Sequence, residues 1–241
     1  DPHVRNALSR GEIPSVNLAE GLAIDYHTLL FHAAPTIGEP AVERMRDAAG
    51  EGVTKRNRIA AELLLTRFGP GIEPKLGRHP SDTVRGWACL IIGMVPNVPL
   101  AQRLERIRPY ADDPHFGVRE WAWMALRQPI IDELDSAIDL LTPWTASHRA
   151  NLRRFAIEST RPRGVWCPHI PALKQDPSPA LPLLEPLRAD DEKYVQDALG
   201  NWLNDAGKSN ADWVIDLSDR WLDESDTPAT RRIVTRARRN L

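Results

Sequence analysis

The chain has 241 residues, 42% of them apolar and 27% charged, the balance of a globular protein long enough to bury a core. Its net charge of −2 offers no global attraction for a polyanion, so any nucleic-acid argument must rest on local clusters. Cys89 and Cys167 are the only cysteines and have no metal-ligand spacing, which argues against a disulfide framework or a zinc site.

The predicted elements run as follows. Residues 1–17 read as a poorly specified leader, closed by Pro14 and Ser15. Leu18, Leu22, Tyr26 and Leu29 fall at helical spacing and predict one helix from Leu18 to Phe31. Pro40 opens a second helix that ends at Gly50, and a third spans Thr54–Arg67 with Ile59, Leu63 and Phe68 on its buried side. Gly69-Pro70-Gly71 terminates it.

A repeat follows. Four segments align: Asp82-Thr83-Val84-Arg85-Gly86-Trp87-Ala88, Phe116-Gly117-Val118-Arg119-Glu120-Trp121-Ala122, Ala150-Asn151-Leu152-Arg153-Arg154-Phe155-Ala156 and Lys193-Tyr194-Val195-Gln196-Asp197-Ala198-Leu199. Their anchors Val84, Val118, Leu152 and Val195 lie 34, 34 and 43 residues apart, each after a polar turn and at the start of a helix. Further amphipathic helices, Leu100–Tyr110 and Asp135–Leu141, fit between them. A helix pair at this period is the signature of a HEAT-like array. No strand-period segment competes. The expectation is an all-α solenoid of HEAT-like repeats forming a curved superhelix, one domain over residues 1–241. Beyond the repeats, Asn210 should cap Ala211–Leu222, with Trp213, Leu217 and Trp221 on one face, and Thr227-Pro228 should open an arginine-rich last helix.

The longest interval contains Glu158-Ser159-Thr160-Arg161-Pro162-Arg163-Gly164-Val165-Trp166. With Arg149, Arg153 and Arg154 upstream, it forms a local cationic cluster that ends in a turn and an aromatic ring. That pattern suits phosphate and base contact. It equally suits a helix C-terminus whose cations complement the dipole, with a core tryptophan beyond it. In the helices themselves, Val118, Trp121, Ala122 and Ala125 should pack while Glu120 and Arg127 face the polar side. Leu152, Phe155, Ala156 and Ser159 should pack against a polar line of Arg154, Glu158 and Arg161. In the fourth repeat Val195, Leu199, Trp202 and Ala206 should pack, with Asp197, Asn201, Asn204 or Asp205, and Lys208 opposite. Stacked repeats would bring these polar lines to one groove. Every helix has a polar side, however, and Arg154–Glu158 is an ordinary pair at i, i+4 spacing.

The run Arg154 to Trp166, Leu183-Leu184-Glu185-Pro186-Leu187, Tyr194-Val195 and Asn201-Trp202-Leu203-Asn204-Asp205-Ala206-Gly207-Lys208 together resemble the DNA alkylation repair family, in its AlkC-type branch. The resemblance covers roughly Val16 to Arg239. Its fold is a HEAT-like solenoid, in agreement with the repeat reading. Some relatives carry a C-terminal β-sandwich, and none is expected within these residues.

What the resemblance implies is a monofunctional DNA glycosylase. It would remove cationic N-alkylated bases, chiefly 3-methyladenine, without a deep base-flipping pocket. Asp205 and Glu120 match the carboxylates, and Trp166 the aromatic at the lesion. Arg154, Arg161 and Arg163 would bind phosphates, as would Lys208 more weakly. Glu158 is expected to be a structural partner of Arg154 or a neighbouring arginine. No cofactor and no metal are expected. The expected partner is duplex DNA containing alkylated bases, the expected state a monomer, and the expected location cytoplasmic and nucleoid-associated, with no membrane span. A non-catalytic DNA-binding array and a protein-interaction scaffold are the competing readings.

Overall fold

The computed structural model describes residues 1–241, and its regular secondary structure is entirely helical. The helices gather into two compact units, Asp1–Leu126 and Arg127–Leu241. In the first, α1 is Pro2–Ser9, α2 Leu18–Leu22, α3 Tyr26–Ala33, α4 Glu39–Asp47 and α5 Val53–Phe68. It continues with α6 Glu73–Leu76, α7 Asp82–Met94, α8 Leu100–Ala111 and α9 Phe116–Ala125. The second unit holds α10 Arg127–Asp132, α11 Leu134–Leu141, α12 Ala150–Glu158 and α13 Pro171–Gln175. After these come α14 Leu181–Leu184, α15 Lys193–Gly207, α16 Ala211–Glu224 and α17 Pro228–Ala237. No helix is long and apolar enough to cross a membrane.

Packing follows the repeat. In the first unit α5 packs on α7 and α7 on α9, with α8 against both α7 and α9. In the second, α12 packs on α15 and α15 on α17, with α16 against both α15 and α17. This layered stacking of alternate helices is the HEAT-like arrangement. All four anchors are buried: Val84, Val118 and Val195 are 0% exposed and Leu152 is 4%.

The residue after each anchor does a common job, tying its helix back to the turn before it. Arg85 donates to the carbonyls of His79 and Pro80, and Arg119 to those of Asp113 and Pro114. Arg153 donates to the carbonyl of Ser147, and Gln196 to that of Asp190. Arg85 and Arg153 also reach the next repeat. Arg85 pairs with Asp113 at 3.0 Å, and Arg153 with Asp190 at 2.6 Å. The Asp190 contact leads the causes that raise the Arg153 pKa. Turn carbonyls that no helix satisfies thus find donors, and the side chain that supplies them fixes the spacing between repeats.

Glycine sets the closest approach in the first unit. A Cβ at Gly93 of α7 would collide with the carbonyl oxygen of Ala125 on α9. Backbone cannot yield as a side chain can, so Gly93→Ala should lower stability by about 1–3 kcal/mol. Thermal melts of the variant check this, and an unchanged midpoint would show that α9 shifts freely. The same unit buries Asn57, which donates to Tyr26 Oη at 2.7 Å and accepts from Trp87 Nε1 at 2.9 Å. Each of its amide atoms is thereby satisfied inside the core.

Several elements depart from expectation. Residues 1–17 contain α1, capped by Asp1, whose side chain accepts from His3 N, and Ser15 donates to Asp82 of α7. Leu18–Phe31 is not one helix but α2 and α3. Asp25 interrupts it by accepting from His27 N and Thr28 Oγ1, so the side chain caps a new helix instead of continuing the old one. In α5 the buried stripe is Asn57, Ile59, Ala60, Ala61 and Leu64 rather than Leu63 and Phe68. Asn210 precedes α16 but its side chain donates to the carbonyl of Lys174 instead of capping.

Candidate functional site

The site is built on α12, α15 and the loop that leaves α12. Along α15, Val195, Leu199, Trp202 and Ala206 are 0% exposed, the face predicted to pack. Asn204 and Asp205 are buried as well, at 1% and 4%. Asp205 stands in the last turn of its helix, where the dipole is unfavourable to an anion, and it is out of water. Such a carboxylate persists only with strong partners.

The partners are cationic. Arg161 donates to Asp205 Oδ2 from Nε at 2.9 Å and from a terminal nitrogen at 2.6 Å. Lys208 Nζ reaches Oδ1 at 3.1 Å. The other terminal nitrogen of Arg161 donates to Glu158 Oε2 at 3.3 Å, so one guanidinium bridges two buried carboxylates. Glu158 Oε1 lies 3.4 Å from Arg154, whose guanidinium also sits 4.2 Å from the Tyr194 ring centroid. Arg154, Arg161 and Lys208 thus all pair with the carboxylates Glu158 and Asp205. Burial opposes the charge on Arg161, but attraction first to Glu158 and then to Asp205 outweighs it, and its pKa is raised.

Arg163 completes the frame. It donates to the backbone carbonyl of Asp205 at 3.2 Å and to Ser209 Oγ at 2.6 Å, which caps the C-terminal end of α15. The loop then turns at Gly164, where a Cβ would strike Cys167 Sγ. Trp166 follows at φ 60°, a left-handed conformation that an aromatic residue rarely adopts, with 55% of its surface exposed. Val165 beside it is 53% exposed. Trp166 is therefore not a core plug. Trp202 takes that part: it is fully buried, and its Nε1 donates to the carbonyl of Thr160 at 3.0 Å.

Arg161, Lys208 and Arg163 thus gather directly on Asp205, and Arg154 joins the network through Glu158. Arg154 and Arg161, expected at phosphates, are turned to carboxylates instead. Arg154 is 9% exposed, and all three nitrogens of Arg161 serve Glu158 or Asp205. Lys208 remains exposed and Arg163 partly so. Glu120 belongs to α9 in the other unit, where its Oε2 accepts from Trp123 Nε1 at 2.9 Å. Asp197 is partly exposed and paired with Arg232 at 2.6 Å. Glu158 is a structural partner of both Arg154 and Arg161.

Arg127 corrects the predicted polar face. It is 1% exposed, and its guanidinium donates to the carbonyls of Ser159, Arg161 and Pro168. Those acceptors are backbone atoms more than thirty positions away, so helical periodicity carries no sign of them. Tyr194, part of the fourth repeat segment, carries no expected site role, yet its ring lies 4.2 Å from the Arg154 guanidinium.

The family model for the DNA alkylation repair enzyme matches residues 105–241. The uncharacterized protein YhaZ of Bacillus subtilis is 37% identical over 142 residues, a stretch that covers 59% of this chain and 38% of that protein. Among solved structures, Pseudomonas fluorescens alkylpurine DNA glycosylase AlkC, bound to DNA containing an abasic site analog, superposes with a TM-score of 0.71 at 20% identity. That match covers 91% of this chain and 61% of the other. AlkD2 from Streptococcus mutans gives a TM-score of 0.66 at 19% identity, over 86% of this chain and 99% of the other. The chain therefore shares the fold of these two structures, and spans 38% of YhaZ and 61% of AlkC.

Proposed function

Since the chain belongs to the DNA alkylation repair enzyme family, we propose that it is a monofunctional glycosylase that hydrolyses the N-glycosidic bond of cationic N-alkylated bases in duplex DNA, chiefly 3-methyladenine. The observation that carries this reading is Asp205, a buried carboxylate held by Arg161 and Lys208, next to a loop whose Trp166 stands out in solvent.

A base alkylated on a ring nitrogen is already a good leaving group and needs little help from a general acid. As its bond to the sugar breaks, positive charge develops on the sugar as in glycoside hydrolysis. Asp205 stabilises that charge and positions the water that attacks the sugar carbon. Its salt bridges keep it in one orientation before the reaction starts, which is where electrostatic preorganisation gains its effect. Glu120 acts as the second carboxylate. Trp166 offers its ring face to the cationic base, an attraction of about 1–2 kcal/mol once water is excluded. Lys208 and the free edge of Arg163 contact the flanking phosphates, while Arg154 and Arg161 hold the carboxylates in place. AlkC being bound to DNA containing an abasic site analog in its own structure supports DNA as the partner.

The test is release of free 3-methyladenine from methylated duplex DNA above the spontaneous rate. Wild-type protein should show it, and Glu120→Gln should retain duplex binding while releasing base about 10- to 100-fold more slowly. Duplex binding without base release by the wild type would favour a non-catalytic binder instead.

A further inference from the structure

We propose that Arg127 is a positioning residue that sets the geometry of the loop bearing Trp166; its catalytic consequence rests on the glycosylase reading above. The loop leaves α12 at Ser159 and returns at α13. One backbone hydrogen bond joins its arms, from Ile170 N to the carbonyl of Pro162 at 3.0 Å. Arg127 supplies the rest. Its two terminal nitrogens donate to the carbonyls of Ser159 at 2.8 Å and Arg161 at 2.5 Å on the outgoing arm. Its Nε donates to the carbonyl of Pro168 at 2.8 Å on the returning arm. A single planar group therefore spans both arms, below a tip of Val165 and Trp166 that is more than half exposed.

The arrangement is costly, which is why it calls for a role. A guanidinium that is 1% exposed has lost its water and faces carbonyl dipoles rather than a paired carboxylate. Burial pulls its pKa down to about 10, and nearby Arg161 opposes the charge too, against the attraction of Cys167, Asp205 and Glu158. A methionine or leucine would fill the space without that penalty. What only arginine provides is three hydrogen bonds in fixed directions, to carbonyls beyond the end of α12 that the helix leaves unsatisfied. The same carbonyl of Arg161 belongs to the residue that holds Asp205. Arg127 thus registers the Trp166 tip and the Asp205 carboxylate to each other through one backbone.

The test uses Arg127→Met, which removes every donor, and Arg127→Lys, which keeps the charge and guards against a fold that fails outright. Limited trypsin digestion reads the loop, because the Arg163–Gly164 bond lies in it while Arg161–Pro162 resists the enzyme. Both variants should be cut after Arg163 about 10-fold or more faster than wild type with other arginyl bonds unchanged, the mark of local rather than global opening. Single-turnover release of 3-methyladenine at saturating protein should fall by about 10- to 100-fold while the duplex Kd changes little, as expected when reacting groups are misplaced rather than lost. Wild-type cutting after Arg163 in both variants would overturn the clamp. An unchanged excision rate per folded molecule, despite faster cutting, would overturn its catalytic role. If the wild type releases no base, the glycosylase reading fails, and the trypsin result still decides whether Arg127 fixes the loop.

Discussion

Asp205→Asn should slow single-turnover release of 3-methyladenine by about 100- to 1,000-fold, with affinity for the duplex nearly kept. The substitution keeps the shape of the side chain and removes its charge. A positive sugar developing beside an asparagine meets a dipole in place of an anion, and the transition state loses more than the ground state. An asparagine also cannot serve both cations. If Oδ1 faces Arg161, the amide nitrogen turns a donor toward Lys208, so a loss of about 1–3 kcal/mol in stability accompanies the loss in rate. The two effects separate because rates are taken on protein that is shown to be folded by its melt. A rate within a factor of three of wild type would remove Asp205 from the chemistry and leave it as a partner of Arg161.

Arg161→Met should lower stability by about 3–5 kcal/mol, the cost of leaving buried ions without their counter-charge. Glu158 and Asp205 are each 4% exposed, and Arg161 touches both. Lys208 pairs with Asp205 and Arg154 with Glu158, and Arg161 bridges the two carboxylates. For a chain of this size the melting midpoint should fall by roughly 6–20 °C. The raised pKa of Arg161 gives the sign of any pH effect. A cation bound more tightly in the folded state contributes in full below its ordinary pKa, so no change near neutrality removes its part. The double variant Arg161→Met with Asp205→Asn should recover stability relative to Arg161→Met alone, since one stranded charge has gone. A melt that shows no recovery would place the cost in lost packing instead.

Much of the fold was legible because its repeat is written in few positions. Val84, Val118, Leu152 and Val195 each bury completely or nearly so, and the residue after each holds the preceding turn. Buried anchors and local ties both leave traces at fixed spacing. What escaped were choices made by capping and distant contact. Asp25 splits a periodic segment in two with one side chain. Arg127 sits at a polar position by periodicity but points into carbonyls supplied by another stretch of chain.

The site was legible in part. The Asp205, Arg161, Arg163 and Lys208 cluster and the exposed Trp166 all lie on residues singled out beforehand. The division of labour among the arginines was not legible. Whether an arginine meets a phosphate or a carboxylate depends on what faces it, and Arg161 and Asp205 are 44 positions apart. Sequence proximity favours Glu158 as the partner, and the structure shows Arg161 serving both.

In the proposed mechanism Asp205 stabilises charge on the sugar, and the departing base carries its own positive charge. The most direct measurement is a pair of single-turnover rates on otherwise identical duplexes, one with 3-methyladenine and one with hypoxanthine, a neutral base whose departure needs a proton. The proposed mechanism predicts release of the cationic base well above its spontaneous loss and no release of hypoxanthine. Comparable release of both would contradict it.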